Sequence, residues 1–347
     1  MLKKFSLYNE EEMGRWDNFV MTHPMGTPFH HSSWLRIIYE TYSFEPGLLV
    51  YTNESDEIAG LFPYFVINGF FSRPRIVSVP FSDYSFPLTM GDDVENKILN
   101  YLVEQNTSSF IEIRGPVRDN SKYKRHNIYQ GFNLELDPEP SKVYKNFEKR
   151  TLVRSIKKAE KEGVIIVEDN SPEGVDNFYR LNKLTRKKHG VPCQSRKFFE
   201  KITEHLASKG LAFILLAKFE SDVIAASMFF KFNKTIYYKY NASDPEYLSS
   251  KTPNHLLIWH LIEKSCLEGF NTIDLGRTAK DNPGLTRYKN MWGAKPHELP
   301  YYYYPVAKGA SSQDESGISY KIMTGIWKHL PDIIVDRLGP VLMKQLA

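Results

Sequence analysis

The sequence predicts an α/β fold with α+β mixed sheets, arranged as two tandem halves followed by a C-terminal helical tail. Three observations carry that expectation. A chain of 347 residues exceeds what one ordinary core holds. The order hairpin, strand, helix, strand occurs twice along it. Finally, Glu54-Ser55-Asp56-Glu57-Ile58-Ala59 in the first hairpin recurs as Glu220-Ser221-Asp222-Val223-Ile224-Ala225 in the second, identical at five of six positions and a domain's length away. The expected domains are 1–138 and 139–310, with the tail at 311–347.

In the first half, residues 47–52 and 58–67 are apolar runs flanking a turn-like stretch, which makes a hairpin. Residues 74–79 form a third strand. Val94, Ile98, Leu99 and Leu102 recur at helical spacing behind Asp92, the expected cap, and 109–113 is the next strand. Asp119-Asn120-Ser121 breaks the pattern, and Asp137-Pro138-Glu139-Pro140 marks the boundary between halves. The first half thus reads as strands with one helix.

The second half opens on a basic segment, 141–163, whose Val143, Phe147, Ile156 and Ala159 share one helical face. Ser171-Pro172-Glu173 starts a helix with Ser as cap and Pro at the first helical position. Another helix spans about 195–208. Strands follow at 212–219, 223–232 and 235–241, then a helix capped by Asn254 and ended by Gly269, then a strand at 272–276.

Composition narrows the function classes. Hydrophobic residues at 41% and charged residues at 25% are those of a globular protein, and aromatics at 14% suit half-buried strands and cleft walls. Cys193 and Cys266 are too few for a disulfide framework or a four-ligand metal site, so no metal is expected and the compartment reads as reducing. The N-terminus lacks a signal-peptide pattern and no apolar stretch reaches spanning length, which makes the expected location cytoplasmic. A net charge of +4 is compatible with a phosphate-bearing ligand and well below that of a dedicated nucleic-acid binder.

The run from Gly269 to Thr278, followed by Asn282, Gly284-Leu285, Tyr288-Lys289 and Trp292-Gly293-Ala294, resembles the C-terminal signature of the FemABX and BioF2-like acetyltransferase families. Residues 152–163 resemble the family's basic helix, 178–192 its Thr-x-x-Lys/Arg-His-Gly-Val-Pro segment, and 238–243 its Tyr-x-Tyr-x-Ala-Ser strand. Residues 77–84 are similar to members from exopolysaccharide gene clusters. The resemblance spans nearly the whole chain and implies two tandem GNAT-like domains, a substrate groove, and acyl or aminoacyl transfer. Two features of such proteins are missing: the Arg/Gln-x-x-Gly-x-Gly/Ala loop that holds the pyrophosphate of acetyl-CoA, and the long coiled-coil arm of some bridge-forming members.

Acyl transfer to an amine needs a neutral nucleophile, a stabilised oxyanion and a proton for the leaving group. No Gly-x-Ser-x-Gly elbow is present and neither cysteine has a histidine partner in sequence, so direct attack is expected rather than a covalent acyl-enzyme. By the resemblance, Lys289 and Tyr240 are the catalytic candidates, Lys289 as an exposed cation in the groove, and Tyr288 adjoins the reacting groups. Arg277 and Asn282, in a loop after a strand end, suit phosphate or carboxylate binding, and Asn254 sits at the helix end that corresponds to an anion site. Arg186, Lys188 and His189 form a second basic cluster for an acceptor bearing phosphates. His189 and His255 are candidate bases, and Asp83 and Tyr84 are the first half's contribution. Arg150, Arg154, Lys157 and Lys158 read either as a solvated helix face or as the contact for a donor's carrier.

The resulting expectation is transfer of an activated aminoacyl or acyl group to an amino group of a cell-envelope precursor or amino sugar, the acceptor being a small or nucleotide-linked molecule. The donor is aminoacyl-tRNA or acyl-CoA, with no tightly bound cofactor. The alternatives are a CoA-dependent N-acetyltransferase for polysaccharide building blocks and a non-catalytic tandem GNAT scaffold. The tail, with Ile326, Trp327, Ile334, Leu338 and Val341 among Lys328, Arg337 and Lys344, reads as a helix pair packed on the second domain or as a peripheral membrane contact.

Overall fold

The structure is a computed structural model that describes residues 1–68, 74–105, 110–118, 121–305 and 318–345. Ser109, Asp119, Asn120, the expected domain edge at 310–311, Leu346 and the side chains of Lys321, Ile322 and Ile333 lie outside the described residues. The chain runs through β1 (Leu2–Phe5), α1 (Glu10–Thr22), α2 (Ser32–Tyr42), β2 (Glu45–Thr52), β3 (Ile58–Ile67), β4 (Arg75–Ser78), β5 (Leu88–Thr89), α3 (Asp92–Glu104), β6 (Phe110–Arg114) and β7 (Lys124–Glu135). It continues through α4 (Pro140–Lys145), a π-helical turn (Lys149–Val153), α5 (Arg154–Lys161), β8 (Ile165–Glu168), α6 (Pro172–His189), α7 (Arg196–His205), β9 (Ala212–Phe219), β10 (Asp222–Phe232) and β11 (Thr235–Ser243). The last elements are α8 (Pro253–Leu267), β12 (Thr272–Asp274), β13 (Thr278–Ala279), α9 (Pro283–Met291), β14 (Lys295–Tyr304), α10 (Ile318–His329) and α11 (Asp332–Gln345).

The described residues divide into two compact units. One comprises those of Met1–Gln130, Glu298–Ser312 and Lys344–Ala347; the other comprises those of Gly131–His297 and Gln313–Met343. In the first, β1, β2, β3 and β4 are antiparallel neighbours, β4 pairs in parallel with β6, and Tyr301–Tyr304 of β14 pair with β6. In the second, β8, β9, β10 and β11 are antiparallel neighbours, β11 pairs in parallel with β12, and β12 pairs with 133–135 of β7. The two units therefore repeat one plan of hairpin, third strand, helix and parallel strand. Even the parallel ladders match: Arg75↔Phe110 to Val77↔Glu112 in one, Thr235↔Thr272 to Tyr237↔Asp274 in the other. Both copies of the repeated hexapeptide begin in the hairpin turn, where Asp56 and Glu220 take positive φ.

Several elements differ from the sequence expectation. The first unit holds α1 and α2 besides α3. In α1 the run Glu10-Glu11-Glu12 is the first turn, where negative charge meets the positive helix end, and Asn9 caps it through the Glu11 and Glu12 N–H groups. Met13, Trp16 and Val20 are its buried stripe. Gly91 is the N-cap of α3, and Asp92 is its first helical residue. The basic segment is not one helix: α4 ends at Lys145 and a π-helical turn leads into α5, although Val143, Phe147, Ile156 and Ala159 are all buried. The N-cap of α8 is Thr252, not Asn254.

The second unit's core gathers Phe132, Phe147, Leu152, Phe229, Ile236, Leu257 and Trp292. In the tail, α10 lies against α6. Gly190 ends α6 in the left-handed region at φ 73°, and a Cβ there would stand 2.3 Å from the Thr324 carbonyl oxygen, so glycine is required twice over. Trp327 and Val335 are buried, whereas Ile326, Ile334, Leu338 and Val341 are exposed. Among the described residues no helix is long and apolar enough to cross a membrane.

One buried ion pair anchors the first unit: Arg114 Nε donates to Glu112 Oε1 at 2.6 Å, both side chains 2% exposed. Glu112→Gln keeps the shape but leaves the guanidinium charge uncompensated, and breaking such a pair costs about 3 kcal/mol or more. The expected result is a lower urea midpoint at unchanged slope in equilibrium unfolding.

Candidate active site

The site begins where the β11–β12 ladder stops. Past Tyr237↔Asp274 the strands no longer pair: the Leu275 N–H donates to the Phe132 carbonyl instead, and Asp274 Oδ1 accepts the Gly276 N–H at 2.7 Å. Gly276 then turns at φ 74°. A cavity of about 310 Å³ fills the opening. Tyr238, Lys239, Tyr240 and Asn241 line one side; Leu275 and Arg277 line the other. Asn254, His255 and Ile258 of α8, with Leu285, Tyr288, Lys289 and Trp292 of and after α9, complete it.

At the ends of β4 and β6 in the first unit, hydrogen bonds join the corresponding segments. The Arg114 N–H donates to Ser78 Oγ at 2.9 Å, the Ser85 N–H donates to the Arg114 carbonyl at 2.7 Å, and the Arg114 guanidinium donates to the Ser82 carbonyl at 3.3 Å.

Helix α8 points its N-terminus at the cavity. Its N-cap, Thr252, takes φ 48° and makes no side-chain cap; the hydroxyl donates to the Ser155 carbonyl at 2.8 Å. Pro253 follows at the first helical position. The positive end of the helix therefore carries no side-chain cap. Asn254 is a strut between helix and strand, its Nδ2 donating to Ser243 Oγ at 3.3 Å while its Oδ1 accepts from Asn241 Nδ2 at 3.4 Å. Beside this end, Lys158 Nζ donates to the Ser249 carbonyl at 2.9 Å and Lys251 pairs with Glu162 at 2.8 Å.

Lys289 is buried, contrary to its expected exposure. At 5% exposed, its Nζ donates to the carbonyls of Gly276 at 2.7 Å and Arg277 at 3.2 Å, and it stands 5.2 Å from the Phe132 ring centroid. It fixes the loop that carries Arg277. Tyr240 packs edge-on against Phe199 at 5.5 Å and Phe198 at 6.2 Å. Tyr238 stacks at 5.3 Å on Phe229, on the opposite sheet face. The cause is a bulge: Met228 faces Tyr240 and the next residue, Phe229, faces Tyr238, which leaves Lys239 extra.

Burial sets the protonation states. It raises the Tyr288 phenol. Burial also raises the Tyr238 phenol, helped by nearby Tyr288 and opposed by hydrogen bonds with Ser227 and Asn241. Both therefore stay protonated at neutral pH. Burial lowers the His255 imidazole, against the pull of the Thr252 carbonyl.

Of the residues singled out from sequence, Lys289, Tyr240, Tyr288, Arg277, Asn254 and His255 meet at this cavity. Asn282 caps α9 instead, its Oδ1 accepting the Leu285 N–H at 3.0 Å. Arg186, Lys188 and His189 occupy the last turn of α6, where cations complement the helix dipole, and do not line the cavity. Asp83 and Tyr84 belong to the first unit, the Asp83 carbonyl accepting from Tyr301 Oη at 2.7 Å and Tyr84 packing on Phe29. Arg150, Arg154, Lys157 and Lys158 are exposed. Sequence reasoning missed Tyr238, Asn241 and Trp292 as wall residues. Strict alternation would have put Tyr238 and Tyr240 on one face, and nothing in the strand's residues marks the bulge.

Residues 147–290 match the family model of the acetyltransferase (GNAT) domain. No curated protein matches the sequence. Among solved structures, FemX superposes with a TM-score of 0.68 at 16% identity, over 86% of this chain and 96% of that one. The C-terminal domain of a putative lysylphosphatidylglycerol synthetase from Agrobacterium fabrum gives 0.57 at 11% identity, over 85% and 92%. A tandem GNAT protein from the clavulanic acid biosynthesis pathway gives 0.55 at 12%, over 87% and 97%.

Proposed function

For a chain whose fold is the FemABX-like GNAT acyltransferase fold, we propose acyl transfer to an amine at the cavity where β11 and β12 part. The observation that carries this reading is the conjunction of an open ladder end, an uncapped helix N-terminus and protonated donors around one cavity of about 310 Å³. An activated acyl group lies in the opening, with its carrier's phosphates toward α8 and α5, and Tyr238 or Tyr288 donates to the oxygen on which charge develops. Attack is direct, because Cys193 and Cys266 are both buried and neither lines the cavity.

The donor class follows from what surrounds α8. No glycine loop precedes the helix, and α5 offers Arg154 and Lys157 exposed beside it. That favours a donor gripped by its phosphodiester backbone, an aminoacyl-tRNA, over acetyl-CoA gripped by backbone N–H groups. The acceptor is the amino group of a cell-envelope precursor or an amino sugar. Purified protein incubated with aminoacyl-tRNA, acyl-CoA and a panel of such amines is expected to give an amide detectable by mass spectrometry, with transfer from acetyl-CoA weak at micromolar concentration. An amide from no donor would end the reading; efficient turnover of micromolar acetyl-CoA would reverse the donor assignment.

A further inference from the structure

Resting on that reading, we infer that His255 takes the proton from the attacking amine. His255 is in the first turn of α8, and its ring lines the cavity. Trp292, fully buried, lies nearly parallel to the ring at 6.4 Å and Tyr288 meets it at 5.9 Å, so the imidazole is clamped rather than free to sweep. Nδ1 is buried with no hydrogen-bond partner.

Elimination among the cavity's walls supports the assignment. Among the described residues no carboxylate lines the cavity. The titratable and charged groups that face His255 from the packed elements are Tyr238, Lys239 and Tyr240 of β11, Arg277 of the loop after β12, and Tyr288 and Lys289 of α9. Tyr238 and Tyr288 are held protonated by burial, Arg277 is a permanent cation, and Lys289 spends N–H groups on two carbonyls. Tyr240 is a phenol, and Lys239 is a cation with its Nζ 5.6 Å from the Tyr240 ring centroid. An imidazole kept neutral by its burial is the wall group suited to accept a proton near pH 7.

The step balances as follows. The lone pair of the free amine forms the C–N bond and the carbonyl π pair moves to oxygen. The nitrogen, now positively charged, passes its proton to the His255 ring. The carbonyl re-forms as the bond to the carrier oxygen or sulfur breaks, and the departing anion takes the proton from the imidazolium. Amide and protonated carrier result, with His255 restored.

The test uses the full chain with whichever donor and amine it transfers between. In wild type, kcat/KM calculated on the unprotonated amine and plotted against pH is expected to show an acid limb with an apparent pKa below 6.5. In His255→Gln that limb disappears and the rate at pH 7 falls about 10²-fold, the lower end for loss of a general base. Added imidazole is expected to restore part of the rate to His255→Ala and none to wild type. Rates are taken per folded molecule, so a loss of fold does not pass for a loss of base. A Gln variant with the wild-type rate and pH profile overturns the assignment while leaving acyl transfer standing. A wild-type chain that transfers from no donor overturns both.

Discussion

Lys289→Met is expected to lower the melting temperature by roughly 10 °C and transfer by about a hundredfold, both through one loop. The ammonium is buried and bonded to the Gly276 and Arg277 carbonyls, so Met removes two charge-assisted hydrogen bonds while keeping the apolar stem. Each such bond is worth about 1.5–3 kcal/mol, and the pair about 3–4 kcal/mol after relaxation. At roughly 2–4 °C per kcal/mol in a protein of this size, that shift is easily read by calorimetry. The kinetic loss follows from Arg277, whose backbone the ammonium anchors: a displacement of about 1 Å at a positioning group costs on the order of 10²-fold. If Lys289 instead touches only a ground-state phosphate, the apparent KM rises and kcat holds. Unchanged thermal stability would show that the loop does not depend on the ammonium.

Much of the fold was legible because its signals are local. The second hairpin, the cap Ser171, and the spacing of Val94, Ile98 and Leu102 are each written in a few adjacent residues. What sequence reading missed needed partners far along the chain. Helix α1 was not read from the sequence because its charged first turn precedes a short buried stripe of Met13, Trp16 and Val20. Strand β14 has no regular alternation, since Tyr301, Tyr302 and Tyr303 are all buried.

The site divides the same way. The Tyr288-Lys289 pair, Arg277 and Asn254 could be picked out because they stand in a recognisable run. Their roles could not, because a carbonyl thirteen residues away decides that Lys289 is an anchor. A helix start decides that Asn282 is a cap. The hydrogen bonds that join Arg114 to Ser78, Ser82 and Ser85 in the first unit were equally hidden, because those serines carry no signature in a single sequence.

Below neutral pH the protein is expected to lose stability at a rate traceable to His30. This residue is fully buried: its Nδ1 lies 2.7 Å from Thr27 Oγ1, and its Nε2 lies 2.9 Å from the Phe86 carbonyl oxygen. Burial, with a smaller contribution from His23 and against the Phe86 carbonyl, pushes its pKa down to about 3. The unfolded chain protonates His30 near pH 6.5, so between there and about 3 the unfolded state binds a proton that the folded state refuses. Stability due to this group is therefore fully present above about pH 6.5 and is lost as the pH falls toward 3, at about 1.4 kcal/mol per pH unit. The whole window amounts to roughly 5 kcal/mol, comparable with the net stability of an ordinary domain. Carboxylates and the other histidines also contribute to acid unfolding, so the measurement is a difference. Urea unfolding of wild type and His30→Gln is compared at pH 6 and pH 4, Gln being able to donate to the Phe86 carbonyl without taking up a proton. His30→Gln is expected to be the less stable protein at pH 6 and to close the gap by about 2.7 kcal/mol at pH 4. Parallel pH dependences for the two proteins would show that His30 is accommodated in its charged form and that acid unfolding begins elsewhere.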